Sequence, residues 1–275
     1  MSARPAVVGV LILSLAAVAS PLGGAPASLV AAHRGGAALW PENSLLAFRQ
    51  ALVLGVDALE FDLHMTADGE VVVLHDPTLD RTTTGRGPVR DLKLADLAAV
   101  RLKTRDGAAT DERVPTLVEV LDLAAPAPVA LLPEIKVDAH RQRYDGIEEK
   151  VLALVRARGL PARTTLQAFQ AETIRRLRAL EPTARTMLLV GRGDLERDRA
   201  HPAEAVRRAR DLGATDLGMN HRLIDADVMA AARAAGIRLS AWTVNEEADI
   251  RRMVDLGVDV VMSDRPDLAK RLTGR

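Results

Sequence analysis

Short apolar runs alternate with longer amphipathic stretches along most of the chain. An apolar run of about four to eight residues between turn residues is typical of a buried strand, and apolar residues three and four positions apart are typical of a helix. This pattern predicts eight strands, at residues 29–32, 58–63, 129–135, 165–169, 186–190, 215–219, 238–242 and 258–262. Helices are predicted between them at residues 44–54, 146–158, 171–180, 203–212, 225–235 and 246–256.

The order of these elements predicts the fold class. Strands that alternate with helices form a parallel sheet, and eight such units in about 250 residues are typical of a closed (β/α)8 TIM barrel. An open, doubly wound sheet is the alternative, but no glycine-rich nucleotide-binding motif follows any predicted strand. A second short apolar run at residues 71–74 interrupts the alternation, so we expect a small insertion after the second strand, at about residues 71–114.

The composition excludes several classes of function. Hydrophobic residues make up 48% and charged residues 27% of the chain, which is typical of a globular domain. The 37 basic residues equal the 37 acidic ones, so there is no net charge to attract nucleic acid, and only six aromatic residues are available to stack on bases. The absence of cysteine excludes disulfides, thiolate catalysis and zinc-thiolate sites. Any metal must therefore be bound by oxygen or by histidine.

Residues 1–27 are predicted to be a signal peptide and a short linker. Arg4 precedes an apolar run at residues 6–19, shorter than the roughly 20 residues that span a bilayer. The small residues Ala17 and Ala19 fit a signal-peptidase site. We expect export to the periplasm or the cell exterior, no stable membrane span after cleavage, and a single mature domain at residues 28–275. Retention of the segment as a membrane anchor is the alternative.

Polar side chains cluster where the predicted strands end. Glu60 and Asp62 lie two positions apart on the second strand, so they share one face, and Glu134 lies near the end of the third. His33 follows the first strand, and His75 follows the short extra run. In a TIM barrel, the carboxyl ends of the strands form the catalytic face. We therefore expect these side chains to meet there.

Three carboxylates that converge repel one another unless positive charge lies between them. Oxygen ligands favour Ca²⁺, Mg²⁺ or Mn²⁺ over zinc, so we predict one divalent cation bound by Glu60, Asp62 and Glu134. Ion pairs of Glu60 and Glu134, for instance with Lys136 or Arg34, are the alternative.

The flanking residues suit proton transfer and phosphate recognition. His33 and His75 can act as general acid and base, because the ordinary histidine pKa of about 6.5 lies near neutrality. Arg34, next to the predicted cation, suits bidentate recognition of a phosphate. We interpret His64 as structural.

Several motifs resemble the glycerophosphodiester phosphodiesterase family, in the family's order and spacing, across residues 29–270. They are His33-Arg34-Gly35-Gly36, Pro41-Glu42-Asn43-Ser44, Glu60-Phe61-Asp62, residues 75–83, Pro133-Glu134-Ile135-Lys136, Trp242-Thr243-Val244-Asn245, and residues 257–259 leading to 263–266. The resemblance implies a (β/α)8 barrel with a small insertion after the second strand. It also implies hydrolysis of glycerophosphodiesters to sn-glycerol 3-phosphate and an alcohol, with a divalent ion and two histidines.

The resemblance also implies a role for each matching residue. Glu60, Asp62 and Glu134 would bind the metal, and His33 and His75 would form the acid-base pair. Arg34 and Lys136 would bind phosphate. Glu42 would support the metal and glycerol side, and Trp242 would form an apolar wall for the glycerol carbons. Thr84 and Ala168 stand where the family commonly has asparagine and serine, which leaves the shape of the alcohol pocket open.

Other functions stay open at this point. A lysophospholipase D or a teichoic-acid-type glycerophosphodiesterase would use the same residues, and an exported protein that binds glycerophosphodiesters without cleaving them is the alternative outside enzymes. The sequence also leaves several properties open. They are the alcohol, the native metal, the nucleophile (water or the substrate's 2-hydroxyl), the assignment of acid and base to the histidines, and the oligomeric state.

Overall fold

The computed structural model describes residues 28–274, and the predicted signal peptide lies outside them. The strands are β1 (Leu29–Ala32), β2 (Ala58–Met65), β3 (Val71–Val73), β4 (Ala130–Ile135), β5 (Thr165–Ala168), β6 (Arg185–Val190), β7 (Asp216–Asn220), β8 (Arg238–Trp242) and β9 (Val260–Ser263). The helices are α1 (Leu45–Leu54), α2 (Leu117–Ala124), α3 (Ile147–Ala157), α4 (Ala171–Leu180), α5 (Arg192–Asp198), α6 (Glu204–Asp211), α7 (Ala226–Ala235), α8 (Glu247–Leu256) and α9 (Pro266–Thr273).

Within residues 28–274, eight parallel strands close into a barrel. Strand β1 pairs with β2 on one side, where Ala31 faces Ala58, and with β9 on the other, where Leu29 faces Val260. Because the first strand pairs with the last, the sheet has no free edge between them, which confirms the predicted (β/α)8 barrel and excludes the open sheet. No helix in the described part of the chain is long and apolar enough to span a membrane.

The predicted insertion begins with strand β3, which pairs antiparallel with β2 through His64 and Val72. The segment that follows packs around a small hydrophobic core of its own. That core comprises Val72, Leu74, Leu79, Val89, Leu97, Val100, Leu102 and Val114. The insertion is therefore a folded unit that begins at the carboxyl end of β2, and it carries His75 to the catalytic face.

Local capping explains several helix boundaries. The Ser44 hydroxyl accepts a hydrogen bond from the Ala47 N–H at 2.9 Å, which begins α1 as predicted. Helix α2 was not predicted, although Thr116 and Glu119 form a capping box at its start. Helices α5 and α9 were not predicted either.

Candidate active site

The structure brings the three predicted carboxylates together at one end of the barrel. Glu60 and Asp62 project from one face of β2, and Glu134 lies on β4 at the position paired with Asp62. Each offers an oxygen within 4.8 Å of the others, and all three side chains are buried. Their roles as metal ligands stay a prediction.

Two basic side chains partly balance this negative charge. The Lys136 ammonium lies 2.9 Å from Oε1 of Glu134 and 3.3 Å from Oδ1 of Asp62. The Arg34 guanidinium lies 3.5 Å from Oδ2 of Asp62, and its backbone N–H donates to Oε2 of Glu60 at 2.8 Å. Of the ion pairs that were the alternative to a cation, Glu134 with Lys136 is therefore present, whereas within residues 28–274 no side-chain ion pair joins Glu60 to Lys136 or Arg34.

The three carboxyls differ in acidity because their neighbours differ. Burial and the nearby Asp62 raise the pKa of Glu60 to about 8. Burial also raises the pKa of Glu134, although Lys136 opposes it. Burial acts in the same direction on Asp62, but Lys136, His75 and Arg34 outweigh it and hold the pKa of Asp62 well below its ordinary value. In the metal-free protein the cluster therefore favours retaining a proton, most strongly at Glu60.

The donor set fits a hard divalent cation. Within residues 28–274, Oδ1 of Asp62 is buried and accepts no hydrogen bond; its compensation is the Lys136 ammonium, 3.3 Å away, which Asp62 shares with Glu134. A buried carboxylate oxygen without a donor is costly unless a charge compensates it. Three carboxylates of this kind suit Ca²⁺, Mg²⁺ or Mn²⁺, which prefer oxygen ligands.

His33 lies at one side of the carboxylates and is paired with an aspartate. Its Nδ1 lies 2.5 Å from Oδ1 of Asp264, and its Nε2 lies 3.9 Å from Oε2 of Glu60. The amide of Asn245 donates to the other oxygen of Asp264 at 2.7 Å. Burial lowers the pKa of His33, but Glu60 and Asp264 outweigh burial and raise it above its ordinary value.

His75 is also paired with an aspartate. Its Nδ1 lies 2.7 Å from Oδ1 of Asp76, whose other oxygen accepts from Nε of Arg81 at 2.6 Å. Arg81 also donates to both oxygens of Glu42, at 2.9 and 3.0 Å, and Glu42 accepts from Arg34 at 3.0 Å. Arg81 therefore links Glu42 to Asp76, the partner of His75.

Both histidines open onto one pocket of about 90 Å³. Its lining comprises His33, Arg34, Glu60, His75, Glu134, Lys136, Gln167, Phe169, Leu189, Trp242, Thr243 and Met262. The rings of Trp242 and Phe169 meet edge to face with centroids 5.5 Å apart. The pocket thus combines charged side chains with an aromatic wall, and Asp62 is not among its lining residues.

The comparisons with known proteins identify the family of the chain. A model of the glycerophosphoryl diester phosphodiesterase family matches residues 33–268. The chain belongs to this family. It is therefore an enzyme, a phosphoric diester hydrolase, which excludes a protein that only binds these esters.

Proteins similar to this phosphodiesterase come from several bacteria. A glycerophosphodiester phosphodiesterase of Caldanaerobacter subterraneus is 32% identical, and the match covers 87% of this chain and 95% of the relative. A glycerophosphodiester phosphodiesterase of Bacillus subtilis is 31% identical, and the match covers 87% of this chain and 84% of the relative. The crystal structure of a glycerophosphoryl diester phosphodiesterase, named as putative, from Agrobacterium tumefaciens is 30% identical in sequence, with a TM-score of 0.83. The match covers 90% of this chain and 97% of that chain.

Sequence reasoning about this phosphodiesterase missed several residues of the site. Asp264 and Asn43 lie inside the motifs that carry the resemblance, but no role was assigned to them; Asn43 donates to Oδ2 of Asp62 at 2.9 Å. Gln167 precedes Ala168, which stands where the family commonly has serine, and no role was assigned to Gln167 from the sequence. His64, interpreted as structural, is buried with Nδ1 at 2.9 Å from the Tyr144 hydroxyl, which agrees with that interpretation.

Proposed function

We propose that this enzyme hydrolyses glycerophosphodiesters to sn-glycerol 3-phosphate and an alcohol, with a divalent cation bound by Glu60, Asp62 and Glu134. His33 and His75 would be the acid-base pair. The observation that carries the proposal is the arrangement of two histidine-aspartate pairs, His33 and His75 each with its own partner, around one cluster of buried carboxylates.

The cationic side chains would bind the phosphate. Arg34 and Lys136 both line the pocket, so their charges can offset the negative charge that grows on the phosphoryl oxygens. A divalent cation held by the carboxylates would supply further charge stabilisation. Trp242 would cover the glycerol carbons, since its ring forms part of the apolar wall.

The histidines would move the protons. In both imidazoles Nδ1 faces an aspartate, so Nε2 is the nitrogen left to exchange a proton with the substrate. One histidine would take a proton from the nucleophile, and the other would protonate the departing alcohol. Each transfer contributes about 10²–10⁴ in rate.

Release of sn-glycerol 3-phosphate from glycerophosphocholine tests this function. His33→Ala and His75→Ala should each abolish turnover while the protein stays folded, and EDTA should abolish it in the unsubstituted enzyme. His140→Ala is the matched control, because His140 is exposed. Near-normal turnover by either active-site variant would refute the acid-base assignment, and turnover that resists EDTA would refute the cation.

We also propose that the enzyme is exported. The support is the sequence of residues 1–27, which lie outside the described part of the chain. Mass spectrometry of the exported protein should find an N-terminus at Ser20, after Ala17-Val18-Ala19, or at Ser28, after the second small-residue site Ala25-Pro26-Ala27. An intact Met1 in the membrane fraction would favour a retained anchor instead.

A further inference from the structure

A buried glutamine lies beside the carboxylates and has no part in the proposed function. Gln167 lies on β5 at the position paired with Glu134, and only 1% of its surface is exposed. Its side chain crosses β4, where the amide Nε2 donates to the backbone oxygen of Leu132 at 2.9 Å and to Oε1 of Glu60 at 3.1 Å. One amide group therefore links β5 to both β4 and β2.

The orientation of this amide follows from its neighbours. The backbone oxygen of Leu132 can only accept a hydrogen bond, so the atom facing it must be the NH₂ group of Gln167. The second hydrogen of that NH₂ group is then available to Glu60. The carbonyl oxygen of Gln167 lies on the other side of the group, where it has no hydrogen-bond partner within residues 28–274.

Each oxygen of Glu60 is held by a different donor. Gln167 donates to Oε1, and the backbone N–H of Arg34 donates to Oε2 at 2.8 Å. Two donors on opposite oxygens define the plane of a carboxylate. Hydrogen bonds of this kind orient a metal-binding group, and their loss typically weakens metal binding about 10–100-fold. A side-chain substitution cannot remove the backbone N–H of Arg34. The hydrogen bond from Gln167 to Glu60 is therefore the one that mutagenesis can test.

We propose that Gln167 is a positioning residue for the cation site. Its amide holds Glu60 in the orientation in which the three carboxylates share one cation. This inference rests on the proposed function, because it requires a cation bound through Glu60. Gln167 acts through Glu60, so the reacting atoms need not touch it.

Binding of Mn²⁺ alone to the metal-free full chain tests this role. Gln167→Met keeps the length of the side chain and removes the donor. We expect the Kd for Mn²⁺, measured by electron paramagnetic resonance, to rise about 10–100-fold, and saturating Mn²⁺ to restore most of the turnover. The matched control is Ser240→Ala, because Ser240 is fully buried in the barrel and its hydroxyl has no hydrogen-bond partner among the described residues.

A Kd within about twofold of the unsubstituted value, or an equal rise in the Ser240 control, overturns the role of Gln167. Thermal unfolding in EDTA shows whether the variant folds. If Gln167→Met does not fold, Gln167→Asn provides the same test, because it keeps an amide but is one methylene too short to reach Glu60. Failure of the unsubstituted protein to bind Mn²⁺ would instead count against the cation in the proposed function.

Discussion

The imidazole Nδ1 of His33 lies 2.5 Å from Oδ1 of Asp264, a residue 231 positions away in the sequence. An aspartate in this position holds one tautomer of the imidazole and stabilises its protonated form. Asp264 is held in turn by Asn245, which contacts both its carboxylate and its backbone N–H. Three loops at the carboxyl ends of β1, β8 and β9 therefore cooperate to orient one histidine.

We predict that Asp264→Asn lowers kcat by about 10²-fold with little change in KM, because His33 would lose the negative charge that stabilises its protonated form. Steady-state kinetics with glycerophosphocholine measures both values. Asp267→Asn is the control, since Asp267 pairs with the partly exposed Arg265 in the same segment and does not contact His33. Equal effects of the two substitutions would show that the contact with His33 does not matter.

Lys136 lies between two buried carboxylates, so its removal should destabilise the metal-free protein. Lys136→Met leaves Asp62 and Glu134 without this cation, and breaking a buried ion pair costs about 3–5 kcal/mol. We expect the free energy of unfolding in EDTA to fall by this amount, and Mg²⁺ or Ca²⁺ to restore more stability to the variant than to the unsubstituted enzyme. Urea unfolding with and without the cation measures both effects. Equal restoration would argue against a cation among these carboxylates.

The barrel and the carboxylates were predictable because both follow local rules. Alternating apolar runs mark the strands, and acidic residues two positions apart share one face, which is how Glu60 and Asp62 were found. The roles of Gln167 and Asp264 were not predictable in this way, because each residue acts on a distant partner. Glu60 lies 107 residues from Gln167, and His33 lies 231 residues from Asp264. A single amide or carboxylate at a strand end has no periodicity, so its partner appears only when the barrel closes.

The core of the insertion should control the position of His75. Leu102 is fully buried in the small core that supports this segment. Leu102→Ala should lower the free energy of unfolding by about 2–5 kcal/mol and should also lower kcat, because His75 is carried by the insertion. Val53→Ala is the control, since Val53 is 83% exposed on α1. A loss of stability without any loss of kcat would show that the barrel alone positions His75.

Asp138 should make the loop after β4 sensitive to acid. Burial opposes its ionisation, but N–H donors of Gln142 and His140 and the ion pair with Arg90 outweigh burial and hold its pKa below the ordinary value. A lowered pKa in the folded state stabilises the protein above the unfolded pKa of about 3.9, and this stabilisation is lost as the pH falls through the folded value.

Replacing this carboxylate tests the prediction. Asp138→Asn should lower the free energy of unfolding at pH 7 by about 1–3 kcal/mol, and the difference should shrink as the pH falls below about 4. Urea unfolding across this pH range measures it. Asp122→Asn is the control, because Asp122 is largely exposed. A difference that does not vary with pH would mean that the charge of Asp138 is unimportant.

The aromatic wall should contribute to substrate binding more than to proton transfer. The Trp242 ring packs against Phe169 at the mouth of the pocket, and its contacts with the proposed glycerol carbons would be similar in the ground state and the transition state. Interactions of that kind change KM and leave kcat nearly unaltered. Trp242→Ala should therefore raise KM for glycerophosphocholine about tenfold, which corresponds to roughly 1.4 kcal/mol of lost binding, while Trp242→Phe should lose less. A fall in kcat with KM unchanged would instead place Trp242 among the groups that act in the transition state.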